Sequence, residues 1–102
     1  MVNMKIYNIF DNLAFSKDRE IEETIFENEK IKIVRISSFN QVTDYYDQEE
    51  LELVKIEKGS ATLEIEEEII NLKEGDILPI HPHQVHRVIK QDHAVWLCIF
   101  LK

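Results

Sequence analysis

The chain has 102 residues, a formal net charge of −8 and one cysteine. We predict a single domain over residues 1–102, because this length suits one hydrophobic core. The acid excess repels phosphate backbones and anionic lipid surfaces, so no nucleic acid and no membrane surface is expected as a partner. One thiol excludes an internal disulfide and a multi-cysteine zinc site. Residues 94–101 form the longest apolar run, far below the ~20 residues of a membrane helix, and no secretory signal is visible, so we expect a soluble cytoplasmic protein.

The first part of the chain carries few strand signals. Residues 16–28 are polar and acid-rich, and a short helix or turn is predicted near residues 18–23, with Ser16 or Asp18 as its cap. We assign no chemistry to this stretch. Residues 31–37 are rich in β-branched side chains and predict a strand.

Alternating strands and turns follow. A strand over residues 51–57 is predicted to end in a turn at Lys58-Gly59, and residues 61–65 alternate apolar and polar as a strand with one wet face does. The next turn is placed at residues 66–68, although it lacks the Gly or Asn usual in hairpins. Further strands are predicted, in chain order, at residues 69–72, 77–80, 85–90 and 94–101, with the last two joined through residues 91–93.

The last strand is apolar on both faces. Trp96, Cys98 and Phe100 share one face, and Val95, Leu97, Ile99 and Leu101 share the other. Such a strand is covered twice. One cover is the core, in which Cys98 is expected as a small buried apolar side chain. The other cover is either the N-terminal segment or a second subunit. The need for this second cover is the reason to expect a homodimer.

Many short strands without helices between them indicate an all-β sandwich or barrel, and periodicity alone does not choose between the two. The segment from Glu52 to Gly59 resembles the first cupin motif, which ends in Glu, six residues and Gly. The segment from Gly75 to His86 resembles the second motif, in which Gly-Asp leads through a strand and a tight turn to a His.

Other short elements occur in the order found in a group of small single-domain cupins. They are Tyr46-Asp47-Gln48, Gly59-Ser60-Ala61-Thr62-Leu63, His83-Gln84-Val85-His86-Arg87-Val88 and Trp96-Leu97. The motif-bearing core spans about residues 31–101. This resemblance implies a cupin-type double-stranded β-helix, an eight-strand-like jelly-roll barrel, with a divalent metal ion held inside it by both motifs.

The chain departs from the cupin pattern before Glu52. Tyr46 and Gln48 stand where the first motif supplies two histidines. Residues two apart share a face of a strand, so Tyr46, Gln48 and Glu52 can all point inward toward His86. Gln48, Glu52 and His86 are therefore the candidate metal ligands, His83 at the turn is a fourth, and Tyr46 is a candidate ligand-binding residue.

Three functions remain open from these residues. Glu52, His86 and a neutral oxygen donor can hold Zn, Fe, Mn or Ni with open positions for a small polar molecule. The same polar groups can instead hydrogen-bond a small ligand in a metal-free barrel. A purely structural dimeric interaction module is the third. No reaction is predicted, and His81 and His93 are expected to be exposed turn residues.

Overall fold

The structure is a computed structural model that describes residues 4–102. Six strands make up its regular secondary structure: β1 (Ile21–Glu27), β2 (Ile31–Ser38), β3 (Leu51–Ile65), β4 (Glu68–Lys73), β5 (Ile77–Ile80) and β6 (His86–Leu101). They pair antiparallel in one sheet in the order β1-β2-β6-β3-β4, and β5 pairs with β3. The all-β jelly-roll prediction is confirmed. Within residues 4–102 there is no helix with the length and apolarity needed to cross a membrane.

Two long strands carry the fold. β3 has 15 residues and β6 has 16, and they pair from Leu51 opposite Leu101 to Ile65 opposite His86. The first part of β3 also pairs with β5, and its last part pairs with β4. Each long strand takes the place of two of the shorter strands expected for a jelly roll. The ends of this ladder bring the two motif segments together.

A bulge in β3 changes which residues face the interior. Glu52, Val54 and Ile56 are buried before the bulge, whereas Ala61, Leu63 and Ile65 are buried after it. The register with β6 shifts between Ile56 and Ser60, and the extra residue moves the inward positions from even to odd numbers. One strand can therefore bend around the core without turning its apolar residues outward.

Gly59 explains why this bend occurs where a turn was predicted. Its φ is +81°, and a Cβ there would lie 2.7 Å from the Asp92 carbonyl oxygen. The chain does not reverse at either place, so two predictions were wrong: the turn at Lys58-Gly59 and the break between the last two strands at residues 91–93. Both segments lie inside strands that remain paired with each other, because pairing between distant residues replaced local turn formation.

Of the short helix or turn predicted near residues 18–23, the helix is wrong. Residues from Ile21 onward form β1, which pairs with β2. The four-residue spacing of Ile21 and Ile25 is a helical contact, but as an edge strand this segment gains interstrand hydrogen bonds with β2. Ser16 accepts a hydrogen bond on Oγ from the Asp18 amide at 3.1 Å, as in a short turn.

Part of the outer sheet face is covered by the N-terminal segment, one of the two covers predicted for β6. Arg35, opposite Leu97 in the β2–β6 ladder, is only 6% exposed. Its guanidinium donates to the carbonyl oxygens of Ile9 at 3.2 Å and Asp11 at 2.5 Å, and to the Glu23 carboxylate at 2.7 Å. One buried cation therefore fixes the segment that precedes β1 against the sheet.

Candidate functional site

A cavity of about 100 Å³ lies inside the barrel. Apolar side chains form much of its wall, among them Val54, Leu63 and Ile80, with the aromatic rings of Trp96 and Phe100. Its polar residues are Glu20, Glu22, Thr43, Tyr46, Gln48, Glu52 and His86. The volume is smaller than the roughly 150 Å³ of an engineered cavity that holds a benzene ring. A molecule of few heavy atoms fits within it.

Glu52 and His86 meet at this cavity from opposite strands of the long ladder. The Nε2 atom of His86 lies 3.9 Å from Oε1 of Glu52, and their side chains are 7% and 8% exposed. Glu52 precedes the bulge and shares its face with Val54, which explains its inward direction. The structure thus brings these two predicted residues together, while their role as metal ligands stays a prediction.

Hydrogen bonding sets the tautomer of His86. Its Nδ1 atom lies 2.8 Å from the carbonyl oxygen of Gln84, which can only accept, so Nδ1 carries the proton. When the ring is neutral, Nε2 therefore presents a lone pair to the cavity. This is the arrangement found when the second nitrogen of a histidine is kept for a ligand.

Gln48 and Tyr46 reach the cavity from the segment before β3. Tyr46 exchanges backbone hydrogen bonds with His86 at 2.7 and 3.1 Å, which lays this segment along the start of β6. The Gln48 carboxamide donates from Nε2 to Oε1 of Glu52 at 3.1 Å. Because a carboxylate can only accept, the amide nitrogen of Gln48 faces Glu52. The sequence interpretation had placed the amide oxygen of Gln48 toward the site.

His83 lies apart from the other candidates. Its side chain is 65% exposed and its Nδ1 lies 2.7 Å from Oδ1 of Asp47. Its backbone amide donates to the carbonyl oxygen of Gln48 at 2.8 Å. His83 thus supports the position of Gln48 through its main chain, and its role as a metal ligand stays a prediction.

Comparison with known proteins accounts for the fold. Residues 38–99 match the family of the AraC-like ligand binding domain. The chain belongs to this family, as a small cupin domain. A solved structure from Ralstonia eutropha, provisionally named a mannose-6-phosphate isomerase, is 30% identical with a TM-score of 0.91, over 97% of this chain and 99% of that one.

More distant structures share the fold of this cupin. An RmlC-like cupin from Desulfovibrio desulfuricans is 18% identical with a TM-score of 0.81, over 97% of this chain and 96% of that one. KdgF from a Halomonas species is 16% identical with a TM-score of 0.72, over 78% and 77%. No curated protein sequence gives a significant match. The predicted cupin relationship is confirmed, and the chain is a cupin-fold ligand-binding domain.

Burial shapes the ionisation of the cupin cavity. Burial raises the pKa of the Glu52 carboxyl, although the hydrogen bond from Gln48 and the nearby His86 act in the opposite direction. Burial also raises the pKa of the Cys98 thiol well above its usual range, and the charge of Glu52 adds to the effect. Cys98 is therefore a protonated, unreactive thiol in the cavity wall, in agreement with its predicted burial.

The cupin fold implies a metal ion, and the donor groups in the cavity show how far this chain could hold one. Within residues 4–102 no three His, Cys, Asp or Glu side chains are grouped so that they could hold a metal ion. Glu52 and His86 supply two good donors, but the third position presents the N–H group of Gln48. The side chains as they lie therefore do not form a complete three-donor site.

Sequence reasoning missed several residues of the cavity wall, among them Glu20, Glu22, Thr43 and Cys98. Glu20 immediately precedes β1, Glu22 is the second residue of β1, and Cys98 lies on β6. The two glutamates are two apart, the spacing of one strand face, but the expected helix concealed that signal. Cys98 shares its face with Trp96 and Phe100, so its wall position was detectable once β6 was placed against the cavity.

Proposed function

We propose that this cupin domain binds a small polar molecule inside its barrel. The observation that carries the proposal is the polar cluster of Gln48, Glu52 and His86 in a cavity whose wall is largely apolar. A buried polar group is costly unless it has a partner, and the Nε2 lone pair of His86 is free to accept one. Apolar walls with a few convergent polar groups are typical of small-molecule sites.

Binding is expected to use His86 and Glu52 as acceptors and Tyr46 as a rim residue. The Tyr46 residue is 48% exposed, and its ring centroid lies 5.6 Å from that of His86. It therefore borders both solvent and the cavity. Trp96 is the only tryptophan of the chain and lines the cavity, so its fluorescence reports directly on occupancy.

The test is a fluorescence titration with polyols, amines and carboxylates of two to four carbon atoms. At least one compound is expected to change Trp96 emission in a saturable way. His86→Ala should abolish the change, whereas His81→Ala, at an exposed histidine, should preserve it. If every compound leaves the emission unchanged, or if His86→Ala binds as well as the unaltered chain, the proposal is wrong.

A divalent metal ion is the second candidate for the same site. The observation in its favour is that Nε2 of His86 lies 3.9 Å from Oε1 of Glu52. Zn, Fe, Mn or Ni would take Glu52 and His86 as ligands, with the Gln48 carboxamide as a weak third, and would supply Lewis-acid chemistry when bound. Elemental analysis of untagged, chelator-free protein tests it, and metal below about one tenth per chain rules it out.

We also propose that two copies associate through the outer sheet face, in the cytoplasm as the composition predicts. Ile33, Ile99 and Leu53 lie in one register across β2, β6 and β3, and Leu101 at the edge is 39% exposed. Light scattering should give a dimer mass that Ile99→Glu halves. Ile69→Glu, at an exposed position on β4, is the control that keeps the dimer. A monomeric unaltered chain contradicts this proposal.

A further inference from the structure

The charges around the cavity all have one sign. Glu20, Glu22 and Glu52 line it, and no lysine or arginine is among its described lining residues. Glu20 is held in place, because its Oε2 accepts from Ser38 at 2.6 Å and from Gln91 at 3.2 Å. Glu22 is exposed and is the second residue of β1. A ligand that enters therefore meets a negative potential.

The hydrogen-bonding groups of the cavity favour the same kind of ligand as its charges do. His86 is more than nine-tenths buried, and its Nε2 has no hydrogen-bond partner among the described residues, so it offers a free acceptor to the cavity. The N–H groups of Gln48 are used by Glu52 and by the Glu50 carbonyl oxygen. These groups therefore favour a ligand that has several hydrogen-bond donors.

We propose that the ligand is a small organic cation, a primary amine bound as its ammonium ion. This inference rests on the proposed function and names the substrate class of that site. An ammonium group has three donors and no acceptor, which matches the carboxylate of Glu52 and the lone pair of His86. The rings of Trp96 and Phe100 in the wall add attraction for a cation.

The experiment compares three two-carbon probes that differ in charge. Ethanolamine, ethylene glycol and glycolate are titrated at pH 7 into the full chain after chelator treatment and dialysis, with Trp96 emission as the readout. Removing metal first separates amine binding from occupancy by a divalent ion. Glu22→Gln tests the charge of an exposed lining residue. Glu49→Gln, at an exposed residue that is not among the lining residues, removes the same charge elsewhere.

Ethanolamine is expected to bind at least about tenfold more tightly than ethylene glycol, and glycolate should not bind. Glu22→Gln should weaken ethanolamine binding about fivefold, while Glu49→Gln leaves it unchanged. If ethylene glycol or glycolate binds as tightly as ethanolamine, the cation preference is overturned and small-molecule binding stands. If none of the three changes Trp96 emission, the amine inference fails, and the wider panel described above decides small-molecule binding separately.

Discussion

His86 Nε2 and Glu52 Oε1 lie 3.9 Å apart with both side chains more than nine-tenths buried. This distance is too long for a hydrogen bond. The Glu52 carboxylate therefore remains buried with incomplete pairing, and burial raises its pKa. A site that is ready for a donor-rich ligand holds this group at a cost in stability.

Glu52→Gln is expected to increase the free energy of unfolding at pH 7. Because the folded pKa is raised, the folded chain binds more protons than the unfolded chain between the two pKa values. The stability of the unaltered chain therefore falls as pH rises through that window, whereas a glutamine retains a carbonyl oxygen for Gln48 and does not titrate. Urea unfolding at pH 4 and pH 7, with Glu49→Gln as the control, measures the effect. An equal change at both pH values would falsify this account.

Gly59→Ala is expected to destabilise the chain by about 3 kcal/mol or more, through clash and backbone strain together. The added Cβ would lie 2.7 Å from the Asp92 carbonyl oxygen and 2.8 Å from that of His93. Gly75→Ala is the matched control, because its φ is +87° and its Cβ would meet nothing within 4 Å. It should cost only about 1 kcal/mol, from the strain of a positive φ. Equal losses in urea unfolding would contradict the role given to the bulge.

The β3–β4 hairpin can be stabilised by replacing its turn residues. Glu66 and Glu67 have φ values of 48° and 70°, between the paired residues Ile65 and Glu68. Such a two-residue turn favours Asn followed by Gly. The double variant E66N/E67G should gain about 1 kcal/mol and raise the midpoint of thermal unfolding. A lower midpoint would show that the glutamates make contacts that outweigh their strain.

Arg35→Met is expected to release the N-terminal segment and leave the barrel folded. Methionine fills similar space but cannot donate to the carbonyl oxygens of Ile9 and Asp11. Hydrogen exchange should increase by about tenfold or more before β1 and remain slow in β3 and β6. Arg87→Met, which removes the partly exposed ion pair with Glu64 and the contact with the Tyr45 ring, is the control. Unchanged exchange before β1 would mean that other contacts hold the segment.

Sequence patterning predicted the strands that alternate and missed the places where they continue. The alternation of Ala61, Leu63 and Ile65 marked a strand because one face is wet. Gly59 was interpreted as a turn because glycine usually interrupts a strand, and only its approach to Asp92 on β6 makes it a bulge. Such pairing depends on residues distant in the chain, which local periodicity does not record.

The candidate site was predictable where a motif and strand parity agreed. Glu52 and His86 were placed by both, and they meet in the cavity. The direction of the Gln48 amide and the contribution of Glu20 and Glu22 depend on how separate segments pack, so they required the structure. His83 shares a motif with His86, but its positive φ of 62° turns it toward Asp47 at the surface.

The long β3–β6 ladder also has a consequence for how this molecule folds. Its two ends join Ile65 to His86 and Leu51 to Leu101, so even the pair nearest in the chain closes a loop of 20 residues. Loop closure of this kind slows folding into the range of milliseconds to seconds. The cavity forms only once these strands have paired. A ligand that binds in it therefore stabilises the folded chain relative to the unfolded ensemble.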